Sequence, residues 1–305
     1  MATLYTHQEQ NIRKTWFLMG FFLIAVIGIG WAVSWFYDNQ IILWVAVAFA
    51  FAMNFYSYWY SDRLVIRMTG ARPADEREFQ ELHRIVENLA ITAGLPKPKV
   101  YIVDDPSPNA FATGRNPENA VVAFTTGLLR ILDRSEIEGV AAHELAHVGN
   151  RDMLIMTVAV VLAGFIAILA DIFMRSLWFG GGRDNRAGGA IILVGIALAI
   201  LAPIAATLIQ MAISRKREFV ADATAALMTR YPEGLASALE KISTYSRPMA
   251  KANHATSHLF ISDPFGKPRG IGAKINSLFQ THPPVVERLA KLRGMSVADV
   301  ERGRA

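Results

Sequence analysis

The 305-residue sequence contains no cysteine, which excludes disulfides, iron–sulfur clusters, thiolate metal sites and cysteine nucleophiles. Any metal must therefore be held by His, Glu or Asp. Charge is also scarce: Asp, Glu, Lys and Arg make up 19% of residues, below the roughly 25% of ordinary soluble domains. Apolar residues account for 52% and the mean hydropathy is +0.28, so part of the chain belongs in lipid. The net charge of +5 would by itself suit nucleic acid or an anionic membrane surface. Position decides between them. Arg13, Lys14, Arg63, Arg67, Arg215, Lys216 and Arg217 flank the apolar runs, and no basic stripe interleaves with exposed aromatics. The reading is a lipid bilayer as partner and no nucleic acid.

Four apolar runs are present. Trp16 to Tyr37 is apolar apart from Ser34 and is long enough, at about 1.5 Å per residue, to cross a hydrocarbon core of roughly 30 Å. Ile41 to Tyr60 repeats the pattern after the polar turn Asp38-Asn-Gln40, with Trp and Tyr clustered where interfacial aromatic belts belong. A cleaved signal peptide is the rival reading, but the first run is long and a second span follows almost at once. Met153 to Met174 and Gly189 to Ile213 form a second hairpin candidate, apolar around the whole helical circumference and joined by a Gly-rich stretch. Pro203 is compatible with a kinked span. The turn at Asp38 to Gln40 carries no Lys or Arg, whereas both outer flanks of that hairpin do, so the amino terminus is expected in the cytoplasm.

The chemistry lies after Ser135-Glu-Ile-Glu138, whose spacing predicts a capping box and a helix start. That helix carries His143-Glu144-Leu-Ala-His147. A four-residue spacing stacks the two imidazoles on one face, where both can reach one ion. Glu144 is placed to take the proton of a water activated by the metal and to pass it to the leaving amine. Catalytic zinc usually has three protein ligands, and Glu218 in Arg217-Glu-Phe-Val-Ala-Asp222 is the best third one. Asp222 shares its helical face and is expected behind a ligand histidine, accepting its ring N–H. One Zn2+ per chain is thus expected on His143, His147 and Glu218. His254 and His258 are also four apart, but no glutamate lies between them as Glu144 does. Because two apolar runs separate His147 from Glu218, an even number of crossings is required to bring them together. The short distances from both ligands to those runs place the metal near the membrane surface.

The sequence resembles the HtpX family of bacterial membrane zinc peptidases, which are related to the CAAX prenyl proteases. The resemblance rests on Asn109-Ala-Phe-Ala-Thr-Gly114, Ala142-His-Glu-Leu-Ala-His147, Arg217-Glu-Phe-Val-Ala-Asp222 and Thr281-His-Pro-Pro284, in that order with hydrophobic runs between. It implies proteolytic quality control of misfolded or damaged membrane polypeptides in the bacterial cytoplasmic (inner) membrane, with the active site facing the cytoplasm. Lys99 to Val103 and Ala120 to Phe124 have the composition of strands. Asn109, Ala110, Phe111 and Ala112 between them are expected to form an edge strand that holds substrate by main-chain hydrogen bonds. Thr281-His-Pro-Pro precedes an amphipathic helix, and His282 or Arg288 is a candidate donor to the oxyanion.

The expected fold is mainly α with a small β-sheet: a four-span integral membrane protein with a cytoplasmic gluzincin-type zinc peptidase domain assembled around two transmembrane hairpins. The expected segments are a cytoplasmic amino-terminal piece (1–15), hairpin 1 (16–60), the first part of the protease domain (61–152), hairpin 2 (153–213) and its second part (214–305). Competing readings are a silent membrane scaffold, disfavoured by the intact Glu144, a transporter, disfavoured by the lack of charged pairs near the midplane, and a prenyl-peptide protease, disfavoured by the span count. The sequence does not determine the oligomeric state.

Overall fold

The computed structural model describes residues 4–36, 38–159, 161–162, 164–166, 215–245, 247–251, 256–265 and 283–301. Helix α1 (Leu4–Phe36) and helix α2 (Gln40–Trp59) form a hairpin. The turn is closed by side chains: Asn39 Oδ1 accepts the Ile41 N–H at 3.0 Å, and Ser34 Oγ donates to the Asn39 carbonyl at 2.9 Å. Asp38 adopts the left-handed conformation, with φ 49°. Gly30 makes the close crossing possible, since a Cβ there would lie 2.2 Å from the Ala46 Cβ. Trp31, Trp35, Trp44, Phe51 and Phe55 are exposed on the hairpin. Trp16 stacks on Tyr58 at 5.7 Å, while Arg63 and Arg115 lie over the rings of Tyr60 and Trp59. An aromatic belt flanked by cations therefore marks one end of the hairpin. Helix α1 begins at Leu4, so the expected division between a segment 1–15 and a span from residue 16 falls inside one continuous helix.

Beyond the hairpin, α3 (Ser61–Thr69) leads to a four-stranded sheet. Its strands are β1 (Arg72–Pro73), β2 (Lys99–Val103), β3 (Ala110–Thr113) and β4 (Val121–Thr125), in the order β1-β2-β4-β3. Strands β2 and β4 are parallel, and the other two neighbours pair antiparallel. The period-2 alternation of strands serves two cores. Ile102, Ala112, Val122 and Phe124 face a core shared with the helices that carry the site. Val103, Phe111 and Ala123 face a second core, built with Leu18, Phe22 and Val26 of α1. Both faces are thus covered, which accounts for the burial of every residue in β3 and β4.

Helices α4 (Gln80–Thr92) and α5 (Thr126–Ile131) precede the central helix α6 (Arg134–Gly149). The expected cap at Ser135 is corrected by two residues. Asp133 is the N-cap, and it exchanges hydrogen bonds with Glu136 in a capping box, while Ser135 Oγ donates to Asp133 Oδ1 at 2.7 Å. Two overlapping patterns of the same spacing stand in the sequence, and the carboxylate pair closes the helix because Lys241 and Ser237 hold Glu136 in place. After α6 the chain turns through Arg151, with φ 56°, and α7 (Asp152–Ile166) leaves at 82°. Met153, Ile155 and Val158 of α7 are buried inside the protein, so the start of the third apolar run is core.

Among the described residues two helices are long and apolar enough to cross a membrane, Gln8–Trp35 and Gln40–Trp59, or three if the bent pair α6 and α7 is one span. The remainder of the third run and the fourth run, Gly189 to Ile213, lie outside the described residues. Helices α8 (Arg215–Thr229), α9 (Pro232–Thr244), α10 (Val285–Arg293) and α11 (Val297–Glu301) complete the fold, which is mainly helical with a small mixed sheet.

Helix α9 crosses α6 at two glycines: a Cβ on Gly139 would lie 2.5 Å from the Leu235 backbone nitrogen, and one on Gly234 would lie 2.6 Å from the Ser135 carbonyl oxygen. No flexible side chain can yield at either contact. Gly139→Ala should therefore lower stability by about 1–3 kcal/mol through overpacking, read as a reduced Tm of the detergent-solubilised protein. An unchanged Tm would show that the backbone at this crossing can separate freely.

Candidate active site

Helix α6 presents His143 and His147 on one face, both buried, with their Nε2 atoms 3.2 Å apart and the ring planes at 87°. Helix α8 brings Glu218 against them. Its Oε1 lies 3.5 Å from His147 Nε2 and its Oε2 3.7 Å from His143 Nε2. Ligand atoms about 2.0–2.1 Å from a tetrahedral ion are separated by about 3.3–3.4 Å. The three observed separations bracket that value, and these residues form the group of His and carboxylate side chains among the described residues that could hold a metal ion.

Each imidazole is fixed from behind. His143 Nδ1 lies 3.0 Å from Asp222 Oδ1, as the four-residue spacing from Glu218 predicts. His147 Nδ1 lies 3.0 Å from Asp152 Oδ2. His147 Nδ1 hydrogen-bonds Asp152, the Asp222 carboxylate stands behind His143 Nδ1, and both rings turn Nε2 toward Glu218. Asp152 escaped the sequence reading, although a carboxylate directly in front of an apolar run is a signal that could have found it. It is buried, accepts from Asn11 Nδ2 of α1 at 2.7 Å and lies 3.5 Å from Arg217 Nε. Asn11 also donates to the Asn150 carbonyl, at 3.0 Å. The α1 helix thereby supports the elbow that holds one ligand histidine.

Arg288 is fully enclosed and grips Asp222 with two bonds, Nε to Oδ2 at 2.9 Å and Nη2 to Oδ1 at 2.6 Å. Its Nη1 lies 4.0 Å from Glu218 Oε2. Burial would raise the Asp222 carboxyl, but Arg288 and His143 outweigh it and hold the pKa at about 2. Burial would lower His147, yet the Asp152 hydrogen bond and the Glu218 charge push it up to about 9. His143 is lowered, chiefly by burial. A cation entering here must displace the proton from His147, because only the neutral ring is a ligand.

Glu144, next to His143 and buried, has its carboxyl pushed up to about 7 by burial, a shift that the nearby Ala112 backbone partly opposes. Four buried carboxylates, Glu144, Asp152, Glu218 and Asp222, thus meet the guanidiniums of Arg217 and Arg288. Once His147 gives up its proton and Glu144 is ionised, two negative charges are left over. A divalent cation cancels them, so the donor set and the local charge both fit a metal.

Strand β3 is the sheet edge, as expected, but part of that edge is covered by the chain itself. The Ile261 N–H donates to the Ala110 carbonyl at 2.9 Å, and Phe111 bridges Phe260. The Asn109 side chain binds both backbone groups of Ser262, at 2.9 and 3.2 Å. The Ala112 end lies beside Glu144. His282 and His254 fall outside the described residues. His258 belongs to a short 3-10 turn, Ser257–Leu259, and its side chain is likewise outside the described set.

Comparison with known proteins agrees with this geometry. The model of peptidase family M48 matches residues 76–296, which include all three candidate ligands. A protein named Protease HtpX homolog from Caldanaerobacter subterraneus is 45% identical over 303 residues, covering 97% of this chain and 99% of that protein. A Pyrococcus furiosus protein of the same name is 50% identical over 286 residues, covering 93% and 96%. The crystal structure of S. mikatae Ste24p shares the fold, with a TM-score of 0.50 at 20% identity over 92% of this chain and 66% of that one. Matches of this extent, over a buried His-His-Glu group and membrane-length helices, show that the chain belongs to the HtpX proteases of peptidase family M48 and is a membrane metallopeptidase.

Proposed function

We propose that this chain is a zinc endopeptidase of the cytoplasmic (inner) membrane, cutting unfolded or damaged membrane polypeptides on the cytoplasmic side. The observation that carries this reading is the convergence of His143, His147 and Glu218 on one point, with the Glu144 carboxylate near His147, Glu218 and the Ala112 backbone. Zinc held there supplies Lewis acidity toward the scissile carbonyl and the attacking water. Glu144 takes the water proton on its carboxylate and returns it to the nitrogen of the leaving amine. Burial raises the Glu144 carboxyl toward neutrality in the metal-free site, which favours a group that accepts and then releases a proton.

Asp222 and Asp152 keep the ligand rings in one tautomer, and Arg288 anchors Asp222. His282 and the Nη1 of Arg288 are the proposed donors to the oxyanion of the tetrahedral intermediate. The extended substrate pairs by its main chain with the Asn109–Ala112 edge, engaging the Ala112 end nearest Glu144. At the other end it meets Phe260 to Ser262, which already bond to Ala110 and Asn109. Recognition by main-chain groups favours unfolded chains over any one sequence, and the hairpin fixes the site beside the bilayer from which such chains emerge.

Orientation is tested by reporter fusions. A reporter in the α1–α2 turn at Asp38 and one at Arg183 should both lie opposite to reporters after Arg72 and after Ala305. If Arg183 reports the same side as Arg72, the second hairpin does not span and the four-span arrangement fails, while the peptidase assignment stands.

Removing a ligand should release the metal. Elemental analysis of purified protein should find one zinc per chain, lost in His143→Ala, His147→Ala and Glu218→Ala. Asp222→Ala and Asp152→Ala should weaken chelator-competed affinity by about 10- to 100-fold. Full zinc content in Glu218→Ala would assign the third ligand elsewhere.

Glu144→Ala should separate chemistry from binding. It should fold, keep its zinc and lower casein turnover by about 10²- to 10⁴-fold, the range of general acid–base catalysis. Near-normal cleavage by this variant would overturn the proposed proton route, and loss of zinc would make Glu144 a ligand.

A further inference from the structure

A cleft of about 180 Å³ opens beside the elbow, between α1 and α8. Its walls include Lys14 from α1, Lys216 and Arg217 from α8, and Asn150 and Asp152 from the elbow. Three cations thus face one carboxylate, and that carboxylate is already engaged by Asn11, His147 and Arg217. With Arg217 matched to that carboxylate, Lys14 and Lys216 leave the cleft positive. Asn150 is only 3% exposed, and its Nδ2 is fully enclosed without a hydrogen-bond partner. A buried donor without an acceptor is costly to maintain, and Asn150 is one of the residues that line the cleft. Positive charge and an unmatched donor together call for an anion with several acceptor oxygens.

The depth of the cleft identifies the source of that anion. Lys14 stands two residues before Trp16, the first residue of the apolar run, and Trp16 stacks on Tyr58 in the aromatic belt. Lys216 and Arg217 follow closely on the apolar run that ends at Ile213. Residues just outside an aromatic belt lie at the level of lipid phosphates, and basic pockets at that level attract anionic headgroups. We propose that this cleft binds the phosphate of an anionic phospholipid headgroup, with Lys14, Lys216 and Arg217 supplying charge and the Asn150 amide donating to a phosphate oxygen. The occupant would touch the same elbow from which Asp152 supports His147. A lipid would then brace the membrane helix against the peptidase part of the chain.

The test uses the full-length protein in neutral detergent, titrated with phosphatidylglycerol or phosphatidylcholine and read by native mass spectrometry. Phosphatidylglycerol should be retained and phosphatidylcholine should not. Lys14→Gln with Lys216→Gln should weaken phosphatidylglycerol binding by roughly 30-fold, each near-surface lysine accounting for about fivefold. Asn150→Leu, which changes no charge, should weaken it by about 5- to 10-fold. Arg63→Gln with Arg67→Gln removes two cations that flank the same hairpin outside the cleft, and should leave binding unchanged. Equal losses in the Arg63/Arg67 pair would reduce the effect to general surface charge and overturn the site. Wild-type binding by the Lys14/Lys216 pair, or equal retention of phosphatidylcholine, would overturn it as well. Displacement of the lipid by millimolar inorganic phosphate would assign the cleft to free phosphate and overturn the lipid proposal.

Discussion

Three buried side chains, each offering a ligand atom within 4.8 Å of the other two, are the constraint around which the peptidase part of this chain is organised. Two imidazoles on one helix face are cheap to arrange, because α-helical geometry stacks residues four apart. Bringing Glu218 to them is not, since its carboxylate must leave water and stand beside further buried acids. The structure meets that demand with Arg288, whose guanidinium grips Asp222 and faces Glu218, and with Arg217 beside Asp152. Even so, negative charge is in excess, and a cation restores balance. Breaking a single buried partner would leave a charge uncompensated, which costs far more than the pair itself contributes.

The elbow between α6 and α7 links this centre to the membrane. Arg151, with φ 56°, turns the chain through 82°, so that Asp152 starts the new helix and reaches back to His147. Asn11 of α1 binds Asp152 and the Asn150 carbonyl, and Gln8, one turn earlier, donates to the Gly149 carbonyl at 2.6 Å. The same α1 helix contributes Leu18, Phe22 and Val26 to the core beneath β3. The membrane hairpin is thus part of the structural support of the active site as well as its anchor. The covered β3 edge has a related consequence: Phe260 to Ser262 stand where an extended substrate would pair, so the chain itself limits which part of the edge is open.

Much of the site was legible in the sequence because the signals are local. His143, Glu144 and His147 are readable from helical spacing alone, and Glu218 with Asp222 from the same four-residue period. The hairpin was legible from two long apolar runs around a polar turn, and the edge position of β3 from its place between two strand-like segments. Three readings shifted. The cap moved from Ser135 to Asp133, since both start an equally spaced pair and only contacts with Ser237 and Lys241 choose between them. Arg288 commits two of its nitrogens to Asp222, which narrows the proposed oxyanion role to Nη1. The beginning of the third apolar run, read as lipid-facing, is enclosed by protein at Met153, Ile155 and Val158.

What the sequence by itself determined is therefore the candidate chemistry and the local geometry: which side chains could bind a metal, which carboxylate stands beside them as the proposed base, and which segments are helical and apolar. Those properties depend on residue type and on spacings of two to four positions, which backbone periodicity converts directly into shared faces. Tertiary structure alone decided which partner each of those groups faces. Asp152 on His147, Arg288 on Asp222, Asn11 on the elbow and Ser262 on Asn109 join residues from different elements, most of them far apart in sequence. An apolar run is equally suited to lipid and to a protein core, and a buried arginine equally to an acid or an oxyanion. Only the packing of elements distant in sequence selects one, because the free energy of burying each group depends on the neighbours that the fold supplies.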